Sequence, residues 1–281
     1  MRRTFRKAML LTAFVSIPTG AWAGWVSEWT NVATKPNGDA ADPQQSSMAI
    51  SGGKVRVEQP EAITLIDYNT GTFTLMNPQR HAFWSGTVDD YVTQVGHSRM
   101  EAMRQKLTDA GRGKEVPKVG ENPAAVDPAK LPPVSIINTG LTEKIAGYDA
   151  AKYEVKVDGD LFQEFWVAPI DVSKDLDVDR YLTQQRKISA GMAGRAATQF
   201  SALYRSDDYR KLLEKTFVVK IKSHHLGGGF ERTATSIRQA EVAPSQFEVP
   251  DAYRKVNLSD VLPAPPPAER PPRQLNLKKG S

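Results

Sequence analysis

Between residues 139 and 169 apolar and polar positions alternate in three bursts, TGLTEKIAGYDAAKYEVKVDGDLFQEFWVAP. Turn residues separate them at Ala146-Gly147 and at Asp158-Gly159-Asp160. In the second burst Tyr153, Val155 and Val157 alternate with Glu154 and Lys156, so one face of a strand is apolar and the other charged. The third, residues 161–168, carries Phe162, Phe165 and Trp166 and reads as covered on both faces. Two registers compete for the hairpin these bursts form. A three-residue loop pairs Val157 with Leu161 and Tyr153 with Phe165 but sets Glu154 against Glu164. A two-residue loop removes that repulsion and puts Tyr153 opposite Glu164. Each effect is worth about 0.2–1 kcal/mol, and the larger apolar area favours the three-residue loop.

Upstream, short apolar runs at residues 25–32, 46–51, 55–58, 62–68, 72–76 and 80–84 alternate with Gly-, Asn- and Pro-bearing turns, which predicts a meander of antiparallel neighbours. The period changes at Gly86. Thr87 with Asp90 three residues on predicts a helix N-cap, and Val88, Tyr91, Val92, Val95, Met103 and Leu107 fall on one helical face before Gly111. Residues 112–133 are polar and proline-rich, without periodicity, and read as a solvated connection or a flap. Downstream, acidic residues 171–177 suit a helix entry, and Val178, Tyr181, Leu182, Ile188 and Met192 continue at helical spacing. A second helical stretch, residues 196–215, carries a break signal at Ser206-Asp207-Asp208. Strands at 217–222 and 230–242, joined through Gly227-Gly228-Gly229, make a closing hairpin. The expected product is a single α+β domain spanning residues 24–262.

The ends carry a different message. Arg2, Arg3, Arg6 and Lys7 precede an apolar run of about ten residues, too short for the ~20 that span a bilayer. Ala21-Trp22-Ala23 follows as a small-x-small cleavage pattern, so residues 1–23 read as a signal peptide cut after Ala23. Without its four cations the formal charge of +5 falls to about +1, which leaves a nucleic-acid function little support. With no cysteine anywhere, neither disulfides nor N-terminal lipidation is available. Residues 263–281 are rich in proline and cations and read as a disordered tail.

Catalytic and metal-binding patterns are absent. The four histidines, His81, His97, His224 and His225, have no metal-ligand spacing. The triple glycine leads into a strand, without the helix N-terminus that would hold a phosphate. Asp89-Asp90 and Asp207-Asp208 sit at helix starts, where the macrodipole explains them. The expectation is a protein that is not an enzyme and has no cofactor and no metal site. The aromatic residues are more suggestive. Phe73, Phe83, Trp84, Tyr153, Phe165 and Trp166 all fall on strands, as ordinary core or as the wall of a cleft under helical cover. As a cleft, the candidate lining is Phe73, Phe83, Tyr153, Val155, Phe165 and Val167.

Four segments carry a resemblance: Lys54-Val55-Arg56-Val57-Glu58; Glu143-Lys144-Ile145-Ala146-Gly147-Tyr148 with Tyr153-Glu154-Val155; Phe165-Trp166-Val167-Ala168-Pro169; and Phe247-x-Val249-Pro250-x-x-Tyr253. Together they resemble a family of exported bacterial domains similar to the periplasmic lipoprotein-carrier (LolA/LolB-like) superfamily. The resemblance implies a curved antiparallel sheet, an unclosed barrel, wrapped around helices, in the periplasm of a Gram-negative bacterium. It carries no catalytic residues. Two functions follow as expectations: a carrier for a lipid or lipoprotein acyl chain, or an interaction module that meets another envelope protein and whose core is filled. Neither needs nucleic acid, nor a transmembrane segment once the signal is removed. A continuous cavity between sheet and helices would separate them.

Overall fold

The computed structural model describes residues 22–35, 38–96, 127–190, 194–224 and 229–262. The expected signal peptide lies outside them up to residue 21, as do the tail from residue 263, Met103, Leu107 and Gly111 of the first helix, and most of the proline-rich segment. Twelve strands form one unclosed sheet. The first meander comprises β1 (Trp22–Ala33), β2 (Gln44–Ser51), β3 (Lys54–Gln59), β4 (Ala62–Asp67), β5 (Thr72–Asn77) and β6 (Ala82–Thr87). The second comprises β7 (Val134–Ile145), β8 (Tyr148–Val157) and β9 (Asp160–Ala168). The hairpin β10 (Phe217–Ser223) and β11 (Phe230–Val242) does not close an edge. It lies in the middle, with β11 against β1 and β10 against β9, and joins the two meanders into one sheet. Every pairing is antiparallel except β12 (Arg254–Lys255), which runs parallel to β6. The fold is therefore the expected α+β class, a curved antiparallel sheet with helical cover.

The β8–β9 hairpin uses both candidate registers. At its tip Val157 pairs with Asp160 across Asp158 and Gly159, whose φ values of 57° and 82° suit a two-residue turn. A bulge between Val155 and Lys156 then shifts the ladder by one, so that Tyr153 faces Phe165 and Glu154 faces Glu164. The repulsion between the two acids is relieved by lysines: Lys152 pairs with Glu164, which His224 also hydrogen-bonds, and Lys156 lies 3.4 Å from Glu154.

Helices cover one face. A first helix, α1, begins at residue 88 and is described to residue 96. Its expected cap is present: Thr87 N donates to Asp90 Oδ2 at 2.9 Å and Asp90 N to Thr87 Oγ1 at 3.1 Å. Next come α2 (Val178–Ala190), α3 (Gly194–Leu203) and α4 (Asp207–Leu213). The break expected near residue 206 is real, and Ser206 caps α4. The chain before α2 is pinned to sheet turns: Gly53 N donates to the Asp175 carbonyl at 2.8 Å, and Arg180 donates to the Asn69 side chain at 2.8 Å. These ties hold α2 across the centre of the sheet.

Phe165, Val155, Val157 and Phe162 pack with Leu182, Leu203 and Tyr209 on one side. On the other, Ile50, Val55, Ile66, Phe73 and Trp84 pack with Val88. The C-terminal segment then straps the sheet edge. Val249 and Tyr253 cover Ile63, Leu65 and Met76 on the face away from the helices. The chain crosses the edge as β12, and Leu258 and Val261 of α5 (Leu258–Val261) enter the helix-side core. An edge covered in this way is closed to a second chain.

Candidate functional site

Between the sheet and helices α2 and α4 lies a cavity of about 170 Å³. Strands supply Trp29, Met48, Ile50 and Val55 from the first meander and Phe217, Val218, Ile221 and Arg232 from the central hairpin. Helices and their lead-in supply Leu176, Val178, Tyr181, Tyr209 and Leu213. The cavity sits where the two meanders meet, and its location follows from strand phase. Period two places Ile221, Arg232 and Trp29 on the helix side, since Ile221 pairs with Arg232 and Trp29 with the next inward residue, Ala234.

The polar side chains of this wall are the hydroxyls of Tyr68, Tyr181, Tyr209 and Thr216, which donate and accept, and the guanidinium of Arg232, which only donates. Tyr68 is buried and its hydroxyl bonds Gln185; Tyr181 and Tyr209 bond each other. Loss of water pushes the hydroxyls of Tyr68, Tyr181 and Tyr209 above the usual phenol range. The Tyr181 shift is opposed by its bond to Tyr209 and by the charge of Arg232. The Arg232 guanidinium lies over the Trp29 ring, 4.2 Å from its centroid. Burial lowers its pKa from the ordinary arginine value. Its Nε and Nη2 are out of contact with water and have no hydrogen-bond partner among the described residues. Among the described residues no Asp or Glu lines the cavity.

The six residues expected to line a cleft are distributed differently. Phe73 is buried 4.7 Å from the Tyr91 ring, under α1. Phe83 stands on the opposite face, against Met76 and beneath Val249 and Tyr253. Tyr153, Val155 and Phe165 belong to the packed cluster under α2, α3 and α4. Val167 is buried between Ala151 and Val218 in the ladder. None of the six lines the cavity, although Phe165 touches its wall through Tyr209, ring centroids 5.6 Å apart. Arg232 was missed because FERTATS reads as a solvated strand, yet its phase with Phe230 and Ala234 was a usable signal.

A second polar cluster occupies the face away from the helices. Glu164 is hydrogen-bonded by Lys152 and, at 2.8 Å, by His224. Burial alone would raise its carboxyl, but the bonds and charges of Lys152 and His224 outweigh this and lower it. Lys152 and Lys220 flank the Trp166 ring at 5.2 and 4.5 Å. Charges and partners here are balanced, which makes it a satisfied structural network. Among the described residues no helix is long and apolar enough to cross a membrane.

No protein-family model matches the chain, and no curated protein does. Similar solved structures include PNGF-II, at TM-score 0.36 and 11% identity, covering 85% of this chain. The chain spans only 32% of the PNGF-II chain. The Pseudomonas aeruginosa MucA/MucB complex matches at TM-score 0.33 and 11% identity, over 82% of this chain and 56% of that one. A putative outer membrane lipoprotein-sorting protein domain from Vibrio parahaemolyticus matches at TM-score 0.32 and 9% identity, over 82% and 91%. These are remote likenesses, and the functional reading rests on the cavity.

Proposed function

We propose that the protein is a non-enzymatic carrier that shelters an apolar ligand, the end of a lipid or lipoprotein acyl chain, between its sheet and helices. The observation that carries the reading is the cavity walled by Trp29, Ile50, Val55, Tyr181 and Phe217. Its size sets the scale. An engineered apolar cavity of about 150 Å³ admits benzene, so about 170 Å³ takes some six to eight carbons, the alkyl part of an eight-carbon amphiphile whose polar head lies at the wall. A longer chain requires α2 and α4 to move apart, and α4 is short, seven residues. The N-terminal sequence pattern supports export with a cut after Ala23, and the resemblance to periplasmic carriers supports a periplasmic location.

Calorimetric titration with octan-1-ol tests the reading. A saturable, one-site isotherm with a negative heat-capacity change is expected, since apolar surface is buried on binding. The absence of saturable heat at every temperature would refute it.

A second reading, an envelope interaction module, has its own observation. Strand β7 forms one edge of the sheet, with Leu141 61% and Ile137 44% exposed. Among the described residues no strand pairs with its outer side, and such an edge can accept a strand from another chain. Under this reading the cavity stays empty, and octan-1-ol does not bind.

A further inference from the structure

The polar chemistry of the cavity specifies more than an apolar guest. Arginine presents its donors in a fixed plane, and the Trp29 ring engages the face of that plane, so hydrogen-bond partners can come only at its edges. The two orphaned atoms, Nε and Nη2, belong to the same edge of the guanidinium. That edge is the fork that grips a carboxylate through two parallel N–H···O bonds. Buried donors without partners are rare in folded proteins and are expensive to leave unmade. Among the described residues the cavity lining contains no acid that could satisfy them, and its remaining ionisable groups are tyrosines held neutral by burial. A guest that brings its own anion therefore completes the site, whereas a neutral hydrocarbon leaves it incomplete.

We propose that the ligand is a single-chain carboxylate amphiphile whose head is bound side-on by Arg232 Nε and Nη2, while its chain lies against Trp29, Ile50, Phe217 and Tyr181. The small cavity disfavours a two-chain phospholipid, and the donor fork matches a planar carboxylate. This inference rests on the carrier reading, and the test separates the two.

Octanoate and octan-1-ol share a chain and differ at the head. Both are titrated calorimetrically into the unmutated full-length protein and into Arg232→Met, which keeps an unbranched apolar stem and removes the donors. Octanoate binding at least tenfold tighter than octan-1-ol, with the preference abolished in Arg232→Met, is the expected result. Equal affinity of the unmutated protein for the two would overturn the assignment of Arg232 and leave the carrier reading intact. Binding of neither would overturn both. Arg232→Lys, which keeps the charge but loses the fork, is expected to bind octanoate at least fivefold more weakly than the unmutated protein. Undiminished affinity in that variant would show that charge alone recognises the head and would overturn the side-on geometry. If Arg232→Met fails to fold, the comparison of the two ligands on the unmutated protein still decides.

Discussion

Replacing Phe165 with Asp distinguishes a packed wall from an open cleft. Phe165 is 1% exposed, beneath Tyr209 and beside Val155, Leu182 and Leu203. Truncating a buried Phe removes about 3–5 kcal/mol of packing. A carboxylate left there without a partner adds a penalty of several kcal/mol, in part relieved by taking up a proton. The sum is comparable to the whole stability of a domain, about 5–15 kcal/mol. Phe165→Asp should therefore fail to accumulate or show no cooperative urea transition by circular dichroism. Phe165→Leu, which nearly conserves volume, should lose under about 2 kcal/mol. A folded Phe165→Asp protein with an unmutated urea midpoint would show that this side chain faces solvent, and would refute the packing described for β8 and β9.

Other consequences are as direct. Leu258→Ala should lower stability by about 2–5 kcal/mol because Leu258 is buried beneath the edge strap; an unchanged melting temperature would mean that α5 does not dock. Glu164 has a folded pKa below its ordinary 4.5. Its ion pairs thus stabilise the fold above that value, and the contribution is lost as pH falls through the lowered pKa. Glu164→Gln should flatten the stability loss as pH falls below about 4.5, and parallel urea-midpoint curves for the two proteins would contradict this. Thr87→Ala removes the reciprocal cap of α1 and should lose about 0.5–2 kcal/mol, read as a lower urea midpoint with unchanged slope.

Much of the fold was legible because the signals were local. Alternation around Tyr153 and Val155, the glycine turns, the Thr87–Asp90 cap and the break at Ser206 each act within a few residues, and each is found in place. Placement of the β10–β11 hairpin was less accessible. FVVKIK announces a strand, but nothing in it says that the strand seats beside β9 and not at an edge. The hairpin register could not be reduced to one loop length because a bulge, which has no sharp sequence signature, lets both registers coexist. Phe83 lies on the other face because it alternates with Ala82 and Trp84, which take the helix side, and it is covered there by Val249 and Tyr253. The cavity itself depends on contacts between residues as distant as Trp29, Tyr181 and Arg232, which no local pattern reports.

The most direct test of the central claim is the position of a bound chain. Crystals of the protein soaked with 8-bromooctanoate allow the bromine to be located by its anomalous scattering. A bromine peak is expected inside the cavity, among Trp29, Ile50 and Phe217, with the carboxylate against Arg232. A cavity occupied by protein side chains, with bromine only on the outer surface, would contradict it.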